Sequence, residues 1–238
     1  MLPPGPVVLR DVPLAIDPAE VHAFQAHKPS LGLSPAEVAR HLDAAREAMA
    51  RVVRPRLAYR RVAVAAAALD SLTLEHGVRL HIPAIGRHWG PVEAVIALVV
   101  TIGEEPAALV RGAGDPVTAA ALDSAASAAV ECLAEWANDH LCQLAVAAGL
   151  RATNRISPGL AGWSLTEHAR LLRLLPAAEL GVRLEADGRL TPAKTISCLV
   201  GVGRAARVDH YFVQCRRCWA VACPARRRPA TVTVQGTH

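Results

Sequence analysis

The sequence predicts an α+β fold in which helices, including one long Ala-rich helix, cover a mainly antiparallel sheet, with a Cys-rich segment at the C-terminus. Stretches with the apolar spacing of helices alternate with short stretches typical of strands, and no internal repeat or linker divides the chain. With 238 residues, the chain is long enough to bury a sizeable core. Aromatic residues make up only 3% of it against 52% hydrophobic residues, so Ala, Val and Leu must fill that core closely.

The first half of the chain predicts a helix and then strands. Residues 34–37 (SPAE) form a capping box with Pro in the first turn, and the apolar spacing that follows continues until Pro55. The Ala- and Val-rich stretch 59–69 fits a strand or a helix equally well. Alternating residues on either side of His76-Gly77 predict a hairpin, with Gly77 supplying a positive φ.

A buried strand and the long helix are predicted next. The branched apolar run 94–102 (AVIALVVTI) is typical of a central strand covered on both faces. Asp115-Pro116 then begins a helix that continues to Gly149, a residue suited to a left-handed cap. Small side chains line its first half, and we expect Cys132 and Cys142 on it to be buried as small apolar residues.

The second half contains shorter elements. Residues 164–167 (SLTE) predict a second capping box and a helix through Leu175 that Pro176 ends. Strands are predicted at 181–184 and 195–202 on either side of the turn Asp187-Gly188, and a further strand at 208–213 leads into the cysteines.

Charge and composition exclude several classes of function. The net charge is +5 with a pI of about 9.1, but arginines are scattered, so nucleic-acid binding is not expected. The N-terminus has no signal-peptide pattern, and we read no apolar run of membrane-spanning length, which predicts a cytoplasmic protein without a membrane partner. Neither a P-loop nor a G-x-G-x-x-G motif is present, and no catalytic residue is identified. In the reducing cytoplasm, clustered cysteines favour metal or redox chemistry over disulfides.

Five segments in order carry a resemblance to a known family. They are 99–103 (VVTIG), 122–131 (LDSAASAAVE), 155–159 (RISPG), 181–184 (GVRL) and 191–197 (TPAKTIS). Together they resemble the reactivation domain of cobalamin-dependent methionine synthase and its free-standing relatives. The resemblance covers most of residues 34–203, so we divide the chain into a lead-in (1–33), a domain like that reactivation domain (34–203) and a Cys-rich segment with a tail (204–238).

The resemblance implies a domain with a curved sheet that binds S-adenosylmethionine and presents it to a corrinoid held by a methyltransferase partner. In the family, the Arg of the R-x-x-P-G segment contacts the methionyl part of the ligand. This carries over to Arg155, with Ser157, Pro158 and Gly159 lining the pocket. The chain departs from the family at Leu160, where Tyr is common, and at Gly149, where methionine synthase has an acidic residue. The alternative is a noncatalytic, metal-bound interaction module that keeps the fold without the ligand site.

The C-terminal cysteines predict a metal site. Cys215, Cys218 and Cys223 have the spacing C-x2-C-x4-C, in which three thiolates can reach one ion. Cys198 is the first candidate for a fourth ligand, His210 is the second, and an open position is the third. Thiolate ligands fit zinc as well as an iron–sulfur cluster, and the latter would suit a partner whose cobalt must be reduced.

Overall fold

The structure is a computed structural model that describes residues 2–26, 28, 33–160 and 162–207. The strands are β1 (Val7–Arg10), β2 (Arg56–Ala67), β3 (Ser71–Leu74), β4 (Arg79–His81), β5 (Ala94–Thr101), β6 (Arg151–Ala152), β7 (Arg183–Leu184), β8 (Leu190–Thr191) and β9 (Thr195–Gly203). The helices are α1 (Pro18–Gln25), α2 (Pro35–Val52), α3 (Ile85–Trp89), α4 (Glu105–Arg111), α5 (Pro116–Ala147) and α6 (His168–Leu172). The α+β prediction is therefore confirmed.

The main sheet is antiparallel and curls into a half-barrel. Its strands follow the order β4-β3-β2-β5-β9-β6, and β1 pairs with the first part of β2. The twelve-residue strand β2 pairs with β1 at one end and with β3 at the other, and its register shifts between Val64 and Ala66. Such a bulge bends the strand and increases its twist, which accounts for the curl. The ambiguous stretch 59–69 is thus mostly strand.

The strand β5 organises the sheet, as predicted. All eight of its residues are buried, and it pairs along its whole length with β2 on one side and β9 on the other. Its alternate side chains enter two separate apolar cores. The first core lies under α1, α2 and α5, and the second lies under α3 and the irregular segment 163–190.

The long helix α5 fills the first core. Asp115 caps it by accepting a hydrogen bond from the amide of Thr118, and Gly149 beyond its end has a φ of +71°, as predicted. Eight of its buried residues are Ala, and small side chains let the helix approach the sheet closely. By length and composition alone α5 could cross a membrane, but more than half of its most apolar stretch is buried in the fold, as in a core helix.

Two local predictions are wrong. Ser164 accepts from the amide of Thr166 rather than forming a capping box, because the side chain of Glu167 is buried and pairs with Arg170. A 3-10 turn and the five-residue helix α6 replace the expected helix through Leu175. In addition, β7 pairs with the unpredicted β8 around Gly188, while β9 belongs to the main sheet.

Other local predictions are confirmed. Ser34 and Glu37 form the predicted capping box at the start of α2. The hairpin of β3 and β4 turns through His76 and Gly77, which both have positive φ. The predicted strand 208–213 lies outside the described residues, and the predicted domain boundaries stay predictions.

We expect Gly201 in β9 to be intolerant of any side chain. A Cβ there would lie 2.7 Å from Cε3 of Trp89 and 2.9 Å from Cγ1 of Val92. Gly201→Ala should lower the free energy of unfolding by about 1–3 kcal/mol, because overpacking forces core side chains to move. Gly114→Ala, where a Cβ meets nothing within 4 Å, should change it by less than about 0.5 kcal/mol. Urea unfolding of both variants tests this, and equal midpoints would contradict it.

Candidate functional site

The segment that carries the R-x-x-P-G pattern runs along the free side of β9. After the short β6, Ile156 forms an isolated bridge with Leu199, with N–O distances of 2.9 Å and 2.8 Å. Thr153 forms two hydrogen bonds with Gly201. The amide of Thr153 donates to the carbonyl oxygen of Gly201, and the amide of Gly201 donates to the hydroxyl of Thr153. These bonds fix the height at which Arg155 stands against β9.

Strand alternation places Arg155 and Ser157 on the same side of this segment. Ile156 packs against the second core, so its two neighbours face the opposite side, toward α5. Pro158 favours an extended conformation for Ser157, which preserves the alternation. On β9, Cys198 is in the first core and therefore shares the side of Arg155 and Ser157.

The Arg155 guanidinium is buried and bound to two carboxylates of α5. Its Nη2 donates to Oε1 of Glu131 at 2.5 Å and to Oε1 of Glu135 at 2.8 Å. The side chain of Arg155 is only 4% exposed, that of Glu131 12% and that of Glu135 48%. Burial alone would lower the pKa of Arg155, but the two carboxylates outweigh it and raise the pKa above its ordinary value. The site is therefore one buried guanidinium between two carboxylates, of which only that of Glu135 is half-exposed.

These two carboxylates belong to a polar stripe on α5, formed by Asp123, Ser127, Glu131 and Glu135 at four-residue spacing. Lys194 at the start of β9 bonds Ser127 at 2.8 Å and Asp123 at 2.6 Å, and Lys28 bonds Asp123 at 2.7 Å. Lys28 and Lys194 are the only two lysines in the sequence. Burial raises the pKa of Asp123, but the hydrogen bonds from both lysines outweigh it and hold the pKa below its usual range.

The turn after Ser157 is closed by backbone hydrogen bonds. The amide of Gly159 donates to the carbonyl oxygen of Trp163 at 2.7 Å, and that of Trp163 donates to Leu160 at 2.9 Å. Gly159 has a φ of +89°, and a Cβ there would lie 2.9 Å from Cδ2 of Leu165. Gly159 is therefore required mainly by its backbone conformation, because the 44% exposed side chain of Leu165 can move away from an added Cβ.

Two buried polar atoms beside this turn lack a hydrogen-bond partner in the described part of the chain. They are the indole Nε1 of Trp163 and the hydroxyl of Ser197 on β9, and both residues are almost fully buried. Groups of this kind are rare in folded proteins and call for a physical explanation, such as a bound molecule.

The structure brings some of the predicted site residues together and not others. Arg155, Ser157, Pro158 and Gly159 form one continuous segment, with Pro158 buried and Gly159 exposed. Cys198 lies in the core beside Arg155. Burial raises the pKa of its thiol to about 12, although the positive charge of Arg155 acts to lower that pKa. This environment disfavours the thiolate that a metal ligand must become. Cys215, Cys218, Cys223 and His210 lie outside the described residues.

Other residues of the site were missed in the sequence. Glu131 and Glu135 are the partners of Arg155, and their spacing from Asp123 and Ser127 was a readable signal of a polar helix face. His76 and His81 are exposed, and His88 is half-buried. In the described residues no group of three or more His, Cys, Asp or Glu side chains could hold a metal ion.

The fold and this edge site define a class of protein, a curled antiparallel half-barrel with a long helix across one face and a tight turn at the sheet edge. The crystal structure of the MetH reactivation domain bound to AdoHcy has this fold: the TM-score is 0.60, with 14% sequence identity over 90% of this chain and 83% of that one. No protein-family model matches this chain, and no curated protein matches it either. The resemblance found in the sequence is thus confirmed at the level of the fold.

We expect Arg155 to be essential for stability. Arg155→Met would leave Glu131 buried without this partner, which typically costs about 3–5 kcal/mol in free energy of unfolding. The matched control is Arg189→Met, because Arg189 is 79% exposed and its pair with Asp187 is screened by solvent, so the loss should be below about 1 kcal/mol. Chemical denaturation measures both, and similar losses in the two variants would refute the structural role of Arg155.

Proposed function

We propose that this chain binds S-adenosylmethionine at the Arg155–Gly159 segment and assists the reductive methylation of a corrinoid held by a methyltransferase partner, such as a methionine synthase. The observation that carries the proposal is the combination of the R-x-x-P-G segment at the sheet edge with a fold shared with a reactivation domain that binds AdoHcy. The product and the substrate of such a methyl transfer share their adenosyl and amino-acid parts, so one site would accept both.

The chemistry of the site suits this role. The ligand's amino-acid end is a zwitterion, and the half-exposed carboxylate of Glu135 lies next to the buried guanidinium of Arg155. A guanidinium recognises a carboxylate through charge-assisted hydrogen bonds. The methyl group of a sulfonium is already activated, so the chain needs no general acid or base and contributes by positioning the ligand.

In this proposal the methyltransferase partner, rather than this chain, holds the corrinoid. The competing function is an interaction module that keeps the fold without binding the ligand. Leu160 in place of Tyr and Gly149 in place of an acidic residue favour that alternative, because each lacks the polar side chain that the family has at that position.

Calorimetric titration with S-adenosylmethionine and with S-adenosylhomocysteine tests the proposal. We expect saturable binding of both, weakened at least about tenfold in Arg155→Lys, which keeps the charge needed by Glu131 but loses the planar fork. Arg183→Lys is the control, since Arg183 is 65% exposed on β7. No heat with wild-type protein at millimolar ligand would reject the proposal and favour the interaction module.

We also propose that Cys215, Cys218 and Cys223 bind a metal ion or an iron–sulfur cluster. The proposal rests on the C-x2-C-x4-C spacing and on the arginines between and after these cysteines, which would lower the pKa values of the thiols. Zinc would serve as a structural clasp, whereas a cluster would be suited to pass an electron to the partner.

Metal and acid-labile sulfide analysis of protein purified without oxygen tests this proposal. We expect about one zinc ion or one cluster per chain, and its loss in a variant with Ser at all three cysteines. Cys142→Ser on α5 is the control and should retain the metal. Wild-type protein with neither zinc nor iron would overturn the proposal.

A further inference from the structure

The three charged side chains at the candidate site differ in what a ligand can reach. Arg155 and Glu131 are almost enclosed, whereas nearly half of the Glu135 side chain is open to solvent. Oε1 of Glu135 accepts from Arg155, and Oε2 has no hydrogen-bond partner in the described part of the chain. A carboxylate can accept about four hydrogen bonds. Glu135 thus has unused acceptor capacity at the surface beside the Arg155–Gly159 segment.

A second observation points to a ligand at the same place. Ser157 is only 9% exposed, yet within the described residues neither its amide nor its hydroxyl has a hydrogen-bond partner. It lies two residues from Arg155 on the side that faces α5, roughly 7 Å along the extended segment. The Ser157 hydroxyl is not among the fully buried side-chain atoms that lack a partner, so a ligand at the surface can reach it and supply an acceptor.

Together these groups match the amino-acid end of a ligand. Ser157 offers two donors for a carboxylate, and the buried guanidinium of Arg155, which is paired with Glu131 and Glu135, lies two residues away. Glu135 offers an acceptor for the ammonium group, which is attached to the carbon next to the ligand's carboxylate. The Cys198 thiol beside Arg155 is neutral because it is buried, and it does not compete for the guanidinium.

We propose that Glu135 binds the α-ammonium group of the ligand and so selects adenosyl ligands that carry an amino group at the end of the side chain. The inference rests on the proposed function. Glu135 is a binding residue that the R-x-x-P-G pattern does not contain. Glu135 should add no affinity for adenosyl compounds that lack the amino group.

Calorimetry on the full chain with three ligands tests the role of Glu135. S-adenosylmethionine has both the ammonium and the carboxylate, its decarboxylated form keeps only the ammonium, and 5′-methylthioadenosine has neither. In Glu135→Gln we expect about tenfold weaker binding of the first two ligands and unchanged binding of the third. Asp139→Asn, an exposed acidic residue one turn further along α5, should bind all three like the wild type.

The outcomes separate this inference from the proposed function. Wild-type affinity of Glu135→Gln for S-adenosylmethionine would overturn the inference alone. An equal loss for all three ligands would also overturn it, because it would show a structural rather than a selective role. Wild-type protein that binds none of the three would overturn both. Thermal unfolding of Glu135→Gln provides the check that the variant is folded, since Arg155 keeps its bond to Glu131.

Discussion

The polar stripe on α5 is the constraint on which the rest of the structure depends. A helix whose other faces are lined with Ala could slide or rotate on an apolar sheet at little cost, because small apolar contacts are not directional. Four polar side chains one turn apart remove that freedom, since each needs a hydrogen-bonding partner at a fixed height. Lys194 supplies it at the start of β9, and Arg155 supplies it beyond the sheet edge. Carboxylates at i and i+4 repel one another, so Glu131 and Glu135 also require this cation.

The same stripe explains why the candidate site is at the sheet edge. The chain leaves α5, forms two residues of β6 and then makes only one further bridge, at Ile156, before it turns at Gly159. An edge segment that stops pairing leaves backbone donors unpaired, and Ser157 is where this happens. In most proteins such an edge is covered or charged. Here, the neighbouring charges are those of Arg155 and Glu135, and only Glu135 is substantially exposed.

The sequence predicted what depends on near neighbours along the chain. The caps of α2 and α5 and the buried strand β5 follow from residues within one turn or one strand. The capping box at 164–167 failed because a tertiary contact competed: the buried Glu167 pairs with Arg170 instead of reaching back to Ser164. The hairpin of β7 and β8 has two-residue strands, too short to produce a readable alternation.

The composition of the site was harder to predict. The R-x-x-P-G segment was found by its resemblance to a family, but its partners were not, because Glu131 and Glu135 precede Arg155 by 24 and 20 residues. Pairing over that distance depends on how α5 is rotated, which no local pattern specifies. Cys198 was chosen as a ligand because it lies on the strand predicted ahead of the C-terminal cysteines. Its place on β9, alternating with the second-core residue Leu199, puts it instead in the first core.

The burial of Cys198 limits the form a metal centre at the C-terminal cysteines can take. Cys198 is opposite Leu98 in the pairing of β9 with the central strand, and its side chain packs beside the Arg155 ion pair. Bringing its sulfur to a surface metal would require β9 to separate from β5 there and would expose Arg155 and Glu131 to water. Ligation would also need a thiolate in a place where the pKa of the thiol is about 12. A centre built on Cys215, Cys218 and Cys223 therefore fits best with a fourth ligand from elsewhere or with an open position, so metal loading and the Arg155 site should vary independently.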